Sequence, residues 1–384
     1  MKFFHLSDLH IGLKLMNRDF REDQEYILKQ IVEIAAREQP DALVIAGDIY
    51  DKAVPPAEAV DLFDRFISGL SKILPNMSIM IISGNHDSAP RVNCFRRILS
   101  RQNLHMIGKP PENETEYIEK VTLMDAFGKV NFYLLPFVKP STVKAVVGSD
   151  ENGNNLTYNA AVHRLIERET ISREERNVLV SHQFYVPAGT SPEDVERMDS
   201  EIQTVGNIDE VSADILEIFD YAALGHIHRP MKVKSEYYRY CGTPLACSVS
   251  EAGQLKSVIM VEMEDKGDIR TTLIPLRPLR EVRVIKGTLD EVLTQSCEDY
   301  VTAVLTDKID LDVIDMQDRI RHAFPNLLEI RRESLRRADY SHRLKETERL
   351  NPFELCCSFL KDLDDSEKEL LKDIIHSVYE EVDI

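Results

Sequence analysis

The sequence lacks the segments that carry a protein into or across a membrane. No apolar run approaches the roughly 18 residues that a membrane-spanning helix needs. The first residues, MKFFHLSDLHIG, place Asp8 and His10 where a secretory signal peptide would need an apolar stretch. These absences argue against export and predict a cytoplasmic protein.

Cysteine is also sparse, with six residues scattered over 384 and no C-x-x-C pair. A disulfide framework needs a higher density of cysteines in a shorter chain. A structural zinc site would need paired thiolates at close spacing. Both kinds of stabilisation are therefore excluded, and the adjacent Cys356 and Cys357 are predicted to pack in an apolar helix.

Positive charge is in deficit, since 47 basic residues face 66 acidic ones and the net charge is −19. Sequence-independent affinity for DNA comes from Lys and Arg side chains that neutralise phosphates. The composition therefore argues against a free-standing DNA-binding protein. A chain of this charge could act on DNA only with local positive charge, from metal ions, small basic clusters or a partner chain.

The order of apolar segments predicts an α/β fold. From Lys2–Leu6 to Ser78–Ile82 the chain reads β-α-β-α-β, which favours a largely parallel sheet. Tyr237–Cys241 and Ser257–Glu262 are predicted strands of a second sheet. The pattern continues to residue 275, residues 276–335 predict a small α/β domain, and residues 336–384 predict a helical hairpin. The hairpin pattern fits packing on the parent domain and docking on another protein equally well.

Five short segments place metal-binding residue types directly after apolar strands. Loops at the carboxyl ends of strands converge in open α/β sheets, so these segments can share one cleft. Each segment alone is common in unrelated proteins, but their ordered occurrence predicts a site. Gly47, Gly84 and Gly225 flank three of them and allow close backbone approach or positive φ. The candidate residues are Asp8 and His10, Asp48, Asn85 and His86, His182, and His226 and His228.

This set of side chains suits two divalent ions. One carboxylate can bridge two metals about 3.5–4 Å apart. Two carboxylates against two dications leave a charge of about +2, which attracts phosphate and acidifies water. Imidazole, carboxylate and amide ligands together suit manganese, iron or zinc better than magnesium.

The five segments, in this order, resemble the calcineurin-like metallophosphoesterase superfamily. The segments FFHLSDLHIG, AGDIYDKAVPP, SGNHDSAPR and YRYCGTPLACSVSEA narrow the resemblance to the nuclease subunits of bacterial SbcCD complexes, in the double-strand-break-repair nuclease family. The resemblance continues through IPLRPLREVRVIKGTLDE and HAFPNLLEIRRE. It implies a four-layer α-β-β-α sandwich over residues 1–275, a small α/β capping domain over 276–335, and a C-terminal helical segment over 336–384 that docks onto a partner.

The resemblance also implies a role for each candidate residue. One manganese ion would be held by Asp8, His10, Asp48 and His228, and the other by Asp48, Asn85, His182 and His226. His86 would face the scissile phosphate and stabilise charge or protonate the leaving oxygen, with Asp87 orienting it. The sequence departs from some homologues at Asp51, where they carry a second histidine. An acid there could orient His86 but could not stabilise phosphate charge.

The implied partners are DNA, an SbcC-type coiled-coil ATPase and a second copy of the chain within a heterotetramer. Arg91 is the best candidate for a phosphate contact. Other basic residues near the site fit either DNA contacts or a solvated surface; they are Arg96, Arg97, Arg101, Arg229, Lys232 and Lys234.

The sequence therefore predicts a two-metal DNA phosphodiesterase, a double-strand exonuclease and single-strand or hairpin endonuclease of DNA repair and recombination. The alternatives are a phosphodiesterase or phosphatase acting on nucleotides or other small phosphoesters, and a non-catalytic scaffold. Scaffold members of the superfamily usually lose ligands or the histidine at position 86, and this chain has lost neither.

Overall fold

The structure is a computed structural model that describes residues 1–187, 201, 209–307, 313–333, 367–368 and 371. The chain divides into two compact units, Met1–Arg332 and Glu333–Ile384. The predicted C-terminal hairpin, with Cys356 and Cys357, lies outside the described residues apart from isolated positions. Among the residues that are described, no helix is long and apolar enough to span a bilayer.

Strands and helices alternate through most of the first unit. The strands are β1 (Lys2–Leu6), β2 (Lys14–Leu15), β3 (Arg18–Asp19), β4 (Ala42–Ala46), β5 (Ser78–Ile82), β6 (Leu104–Ile107), β7 (Glu119–Asp125), β8 (Gly128–Leu135), β9 (Arg176–Ser181), β10 (Phe184–Val186), β11 (Glu210–Ser212), β12 (Tyr221–Leu224), β13 (Met231–Val233), β14 (Ser235–Tyr240), β15 (Ser257–Met263), β16 (Ile269–Pro275), β17 (Val282–Gly287), β18 (Tyr300–Leu305) and β19 (Leu327–Arg332). The α-helices are α1 (Arg21–Glu38), α2 (Ala57–Ile73), α3 (Ala89–Val92), α4 (Arg96–Leu99), α5 (Pro140–Val147), α6 (Tyr158–Glu167), α7 (Leu289–Leu293) and α8 (Val313–Ala323).

Two six-stranded sheets form the centre of the molecule. The first has the order β16-β15-β1-β4-β5-β6, and the second has the order β13-β14-β12-β9-β8-β7. In the first sheet β1, β4, β5 and β6 are parallel, and in the second β14, β12, β9 and β8 are parallel. Antiparallel strands complete the first sheet at one edge, through β15 and β16, and the second sheet at both edges, through β13 and β7. The carboxyl ends of the parallel strands therefore collect along one edge of each sheet.

Side chains of successive strand residues separate into different layers, as the two-residue period of a strand requires. Phe3 and Val44 point into the core between the two sheets, which also contains Phe132 and Val180 from the second sheet. Their neighbours on the outer face of the first sheet pack under α1 and α2. The outer face of the second sheet is covered by α5 and α6. The predicted four-layer α-β-β-α sandwich is confirmed.

The sheet assignment of one segment was wrong. Tyr237–Cys241 corresponds to β14 in the second sheet, but Ser257–Glu262 corresponds to β15, which pairs antiparallel with β1 in the first sheet. Both segments carry the alternating apolar pattern of a strand, and this pattern does not encode which sheet a strand joins. Long-range pairing between Phe3 and Val261 decides it.

A third, three-stranded parallel sheet follows the sandwich, in the order β17-β18-β19. With α7 and α8 it encloses its own apolar cluster, which includes Val292, Val301 and Phe324. We call residues 276–332 the cap. Val282 and Tyr300, at the beginning of β17 and β18, pack instead with the core of the sandwich. The boundary at residue 275 stays a prediction.

Polar contacts join the cap to the start of α1. The Tyr300 ring stacks on Phe20 with 4.3 Å between centroids. The Tyr300 hydroxyl donates to Asp23 Oδ2 at 2.7 Å, and the same oxygen accepts from Arg280 Nη1 at 2.8 Å. A buried carboxylate paired in this way stabilises a contact only while both donors are present. We refer to Phe20, Asp23, Arg280 and Tyr300 as the cap clasp.

Candidate metal centre

The loops that follow β1, β4, β5, β9 and β12 meet at one place between the two sheets. They bring together the side chains that the sequence singled out. Asp8, His10, Asp48, His182, His226 and His228 are all buried, whereas Asn85 and His86 are partly exposed. Buried acids and imidazoles need compensating charge or hydrogen bonds, so this cluster is costly unless it binds something.

Asp8, His10 and His228 form the first group of potential ligands, with one donor atom of each within 4.8 Å of the others. The Nε2 atoms of His10 and His228 are 3.1 Å apart. At this spacing the two nitrogens could bind the same cation, since a metal–imidazole bond is about 2.1 Å long. Burial, with the positive potential of His228, lowers the pKa of His10 to about 3. His10 is therefore neutral at pH 7, the form that binds a metal.

Asn85, His182 and His226 form the second group. Asn85 Oδ1 lies 3.0 Å from His182 Nε2 and 3.1 Å from His226 Nδ1. His182 Nδ1 donates to the carbonyl of Ala46 at 2.7 Å, which leaves Nε2 as the atom that faces the site. This hydrogen bond selects the tautomer in the way that backbone carbonyls do for metal-binding histidines.

Asp48 lies between the two groups. Its Oδ2 is 3.3 Å from His182 Nε2 and 3.8 Å from His10 Nε2, and its Oδ1 accepts from the His86 backbone N–H at 2.9 Å. Burial by itself would raise the pKa of Asp48, but the charge and hydrogen bond of His182 outweigh it and lower the pKa below the usual range. This is the position expected of a carboxylate shared by two cations.

The electrostatics of the site favour cations. Burial would lower the pKa of His182, yet the carboxylates of Asp48 and Asp8 raise it to about 9. The two carboxylates thus favour the protonated, positively charged form of His182. A divalent ion would supply the same charge and compete with that proton for Nε2. The donor set and its charge fit divalent metal ions.

Several candidate ligands have strained backbones. Asp8, His10, Asp48 and His226 have φ of 53°, 44°, 51° and 99°. Non-glycine residues with positive φ cost of order 1–3 kcal/mol each and concentrate at functional sites. The strain is held by hydrogen bonds such as Asp8 N to Gly47 O at 3.0 Å and His226 N to Asp8 Oδ1 at 3.0 Å. The sequence predicted positive φ only as an option for the flanking glycines.

Those glycines leave space for the candidate ligands. A Cβ added to Gly84 would lie 2.1 Å from Asp48 Oδ1, and one added to Gly47 would lie 2.2 Å from His182 Nδ1. At Gly225 the nearest atom would be the Ala46 carbonyl oxygen at 1.9 Å. Only Gly47 also has a positive φ, of 89°. Gly84 and Gly225 are therefore explained by close packing.

His86 lies at the partly exposed mouth of the site. Its ring contacts His10 edge to face with 4.8 Å between centroids, and its Nδ1 donates to the backbone carbonyl of Asp51 at 3.0 Å. A carbonyl oxygen can only accept, so Nδ1 carries a proton and Nε2 remains for the substrate. One ring nitrogen lies within 4.8 Å of donor atoms of His10 and Asp48.

The hydrogen bonds of the Asp87 carboxylate go to main-chain groups, and its predicted role in orienting His86 stays a prediction. Its carboxylate accepts from the backbone N–H groups of Ile49, Tyr50 and Gly84 at 3.0–3.1 Å, and so ties the loop after β4 to the loop after β5. Burial and the charge of Asp48 raise the pKa of Asp87 to about 6. In the bend at residues 85–87, the His86 ring meets the Asp51 carbonyl and the Asp87 carboxylate meets the main chain of the loop after β4.

Asp51 acts through its main chain. The atom that orients His86 is the Asp51 carbonyl oxygen, whereas the prediction had considered the carboxyl group. A backbone carbonyl is present whatever side chain stands at this position. The departure from homologues at Asp51 therefore leaves the orientation of His86 intact.

The predicted basic residues differ in their surroundings. Arg91 is exposed on α3, directly after the His86 loop. Arg96 pairs with Glu119 at 3.0 Å, Lys232 pairs with Glu236, and Lys234 pairs with Asp214 at 2.8 Å. These pairs reduce the positive potential that the three side chains offer to a phosphate. The contact of Arg91 with phosphate stays a prediction.

Gln24 and Glu251 are among the described residues that support the site and that sequence reasoning missed. Gln24 donates to the His10 carbonyl at 2.7 Å and accepts from the Gly12 N–H at 3.0 Å, which braces the loop after β1. Glu251 Oε1 lies 3.3 Å from His228 Nδ1. Gln24 has no motif around it. Glu251 lies in CSVSEA, part of a segment quoted for the family resemblance, and that was the only available signal.

Comparisons with known proteins agree with this geometry. Residues 1–230 match the family described as Calcineurin-like phosphoesterase, and residues 277–363 match the SbcD_C family, described as Type 5 capsule protein repressor C-terminal domain. The chain is 31% identical over 335 residues to the D subunit of nuclease SbcCD from Staphylococcus epidermidis, covering 85% of this chain and 84% of that protein. The chain belongs to the SbcD family of calcineurin-like phosphoesterases. Membership implies divalent metal ions, which the clustered His and Asp side chains suit.

Solved structures give weaker similarities to this SbcD-family chain. One is described as GAP50, the anchor in the inner membrane complex of Plasmodium, with 12% identity, a TM-score of 0.40, and coverage of 86% of this chain and 96% of that one. Another is a dimetal phosphatase from Danio rerio, with 13% identity, a TM-score of 0.39, and coverage of 73% and 98%. Family membership rests on the sequence matches.

Proposed function

We propose that this chain is a two-metal-dependent DNA phosphodiesterase that works with an SbcC-type ATPase, as a double-strand exonuclease and a single-strand or hairpin endonuclease. The observation that carries the proposal is the position of Asp48 Oδ2, 3.3 Å from His182 Nε2 and 3.8 Å from His10 Nε2, between two groups of ligands. DNA as substrate and the ATPase as partner are supported by the similarity to the SbcCD nuclease of Staphylococcus epidermidis.

The ligands are proposed to divide as the two groups divide. Asp8, His10, Asp48 and His228 would hold one ion, and Asp48, Asn85, His182 and His226 the other. When bound, the two ions supply positive charge that attracts a phosphodiester and makes water more acidic. The mixed imidazole, carboxylate and amide ligands suit manganese, iron or zinc better than magnesium, and manganese is the proposed metal because the family resemblance implies it.

His86 is the proposed catalytic acid. The Asp51 carbonyl holds a proton on Nδ1, so Nε2 is the atom that faces the substrate. In the imidazolium form, which carries a proton on both nitrogens, Nε2 would give its proton to the leaving oxygen or stabilise charge on the phosphate, and the ring would return to the neutral form with its proton on Nδ1. Its partial exposure, beside buried ligands, gives a substrate access to Nε2. Arg91, exposed on the next helix, would bind a flanking phosphate. Asp87 contributes by holding the two loops together.

The proposed domains are a nuclease domain over residues 1–275, a capping domain over 276–335 that includes the cap, and a partner-docking segment over 336–384. The separate apolar cluster of the cap supports the second division. Two copies of the chain would join two ATPase subunits. Light scattering of the purified complex would measure this stoichiometry.

The function is tested with the purified chain and its ATPase partner, supplied with Mn2+ and ATP. Linear duplex and hairpin DNA should be degraded, and Asp48→Ala should abolish degradation. Both activities allow the chain alone to turn over a small phosphodiester, but the alternative activity on small phosphoesters predicts that DNA stays intact in the presence of the partner. That result would overturn the DNA assignment while keeping the metal centre.

A further inference from the structure

The face of His228 that points away from the metal centre meets a buried ion pair. Its Nδ1 lies 3.3 Å from Glu251 Oε1, and Glu251 Oε2 accepts from Lys256 Nζ at 2.6 Å. Glu251 is 1% exposed and Lys256 is 6% exposed. A buried Lys–Glu pair is costly to place away from solvent and contributes little net stability compared with an apolar pair. Stability therefore does not explain why this pair lies beside a candidate ligand, whereas an effect on the position of His228 would.

The pair holds His228 at two points. Glu251 contacts the ring at Nδ1, and Lys256 Nζ donates to the His228 backbone carbonyl at 3.2 Å. Thr243 donates to Glu251 Oε2 at 2.8 Å, and Ser248 donates to Oε1 at 3.1 Å. The carboxylate is thus held by several donors, and both its oxygens are engaged. A ring fixed at Nδ1 and at its own main chain can present only Nε2 to the site.

We infer that Glu251, held by Lys256, is a positioning residue that fixes His228 with its proton on Nδ1 and so prepares Nε2 for the first metal ion. This inference rests on the proposed function, because it assumes that His228 binds a metal. It assigns a role to the CGTPLACSVSEAG segment, which lies outside the five segments that supply the candidate ligands.

The two groups of ligands differ in how they are oriented. His182, in the second group, is held by the backbone carbonyl of Ala46, which no side-chain substitution removes. His228, in the first group, depends on a side-chain carboxylate. Changing Glu251 should therefore weaken one ion and leave the other. A role limited to general folding would not separate the two ions.

The test counts metal ions on the full-length chain. Glu251→Gln would keep an amide oxygen that can accept from Nδ1, and it would leave the Lys256 ammonium buried without its charged partner. The informative variant is therefore Glu251→Leu with Lys256→Met, which removes the acceptor and both buried charges. Isothermal titration with Mn2+ should give two sites in the native chain. In the double variant, one site should keep its affinity and the other should weaken about 10- to 100-fold, the usual effect of removing a group that orients a ligand.

The matched control is Glu236→Gln, which also removes a carboxylate from a Lys pair, but an exposed one. It should bind both ions with native affinity. A folded double variant that binds both ions with native affinity overturns the inference while the proposed function stands. A native chain that binds no Mn2+ overturns both.

A second measurement needs no variant of the ion pair, in case the double variant does not fold. Imidazole 15N NMR of the native chain loaded with Zn2+, a diamagnetic probe, reports which nitrogen of each histidine carries a proton. His228 should carry it on Nδ1, with Nε2 bound to the metal. A proton on Nε2, with Nδ1 bound, would contradict the inference whatever the variants do.

Discussion

Individual side chains in the metal centre have tasks that can be separated by measurement. His86 differs from the buried candidate ligands because it is partly exposed and is held at Nδ1 by the Asp51 carbonyl. Asp48 differs because one oxygen faces both groups of ligands. Substitutions at these two positions should therefore fail in different ways.

His86→Ala should keep both metal ions and lose about two to four powers of ten in rate, the usual range for a general acid. Asp48→Ala should lose the ions themselves. Metal content by mass spectrometry and single-turnover cleavage of DNA distinguish the two variants. A His86→Ala protein that cleaves at the native rate would contradict the proposed role of Nε2.

Gly84→Ala tests the close packing behind Asp48. A Cβ there would lie 2.1 Å from Asp48 Oδ1, so the carboxylate must move. A displacement of about 1 Å in an active site can cost about 100-fold in rate. We expect a loss of that size, with weaker Mn2+ binding in a titration.

Gly69→Ala is the matched control. Gly69 lies within α2, and a Cβ there would meet only the methyl groups of Val32, at the ordinary contact distances of 3.7 and 3.9 Å. Alanine is favoured over glycine in a helix interior by about 1 kcal/mol. The control should bind metal as the native chain does and unfold at slightly higher denaturant. Equal metal binding by both glycine variants would contradict the packing explanation.

His5 provides a prediction about pH that is independent of the metal ligands. Its ring is buried between the Tyr221 hydroxyl and the Leu224 carbonyl, and burial lowers the pKa of His5 from 6.5 to about 3. The unfolded chain takes up a proton near pH 6.5 and the folded chain does not. The unfolded state therefore binds more protons between these values, and stability falls as the pH falls through this window.

The slope from His5 is at most about 1.4 kcal/mol per pH unit. His5→Gln keeps a donor and an acceptor but cannot titrate. Urea unfolding of the metal-free proteins at about pH 7 and about pH 5 should show that the native chain loses more stability than the variant. Parallel pH profiles for the two proteins would refute the burial argument for His5.

At the scale of elements, the parallel strands position the candidate ligands. The cap clasp joins the cap to the start of α1, which also contacts the loop of His10. Asp23 in the clasp is followed by Gln24, which braces the loop of His10. The first turn of α1 thus contacts the cap through one residue and the metal centre through the next. The two contacts depend on the same helix end.

Tyr300→Phe removes one hydrogen bond from the clasp and keeps the ring stacked on Phe20. Hydrogen bonds to charged groups contribute about 1.5–3 kcal/mol, so the free energy of unfolding should fall by about that amount. Chemical denaturation measures it, with the exposed Tyr237→Phe as control. A native-like unfolding curve for Tyr300→Phe would show that the clasp does not stabilise the cap.

The sequence predicted which segments form the strands of the sandwich better than it predicted which strands pair with one another. The runs at Ala42–Ala46 and Ser78–Ile82 are strands with the predicted bounds, because continuous burial selects apolar β-branched residues. By contrast, Ser257–Glu262 was assigned to the wrong sheet, and β19 was not predicted as a strand. Strand pairing depends on residues that are distant in the chain, so a local pattern does not encode it.

At the scale of the whole molecule, the excess of negative charge indicates that this chain supplies the catalytic residues but little of the affinity for DNA. A chain with a net charge of −19 has little general attraction for a polyanion. Two of the predicted basic residues, Lys232 and Lys234, are paired with acids. We therefore expect the partner ATPase to supply much of the contact with DNA.

Truncation after Glu333 tests this division, since the second compact unit begins there. The shortened chain should bind Mn2+ and hydrolyse a small phosphodiester at close to the native rate. It should no longer co-purify with the ATPase and should lose DNA degradation in the mixture. Retention of the ATPase by the truncated chain would refute the docking role of residues 336–384.

The sequence by itself determined which residue types follow which strands. Apolar strands that end in Asp, Asn and His predicted a site, because carboxyl ends of parallel strands share an edge. The family membership follows from the same segments. These features are local, so one sequence is enough to read them.

Only the tertiary structure decided which atoms face one another. It placed the carbonyl of Asp51 at His86 Nδ1, and it brought Glu251 to His228 and Gln24 to the loop of His10. Such contacts depend on backbone direction in loops and on the register of two sheets. Neither quantity is written in the residues next to the contact, because long-range pairing sets both.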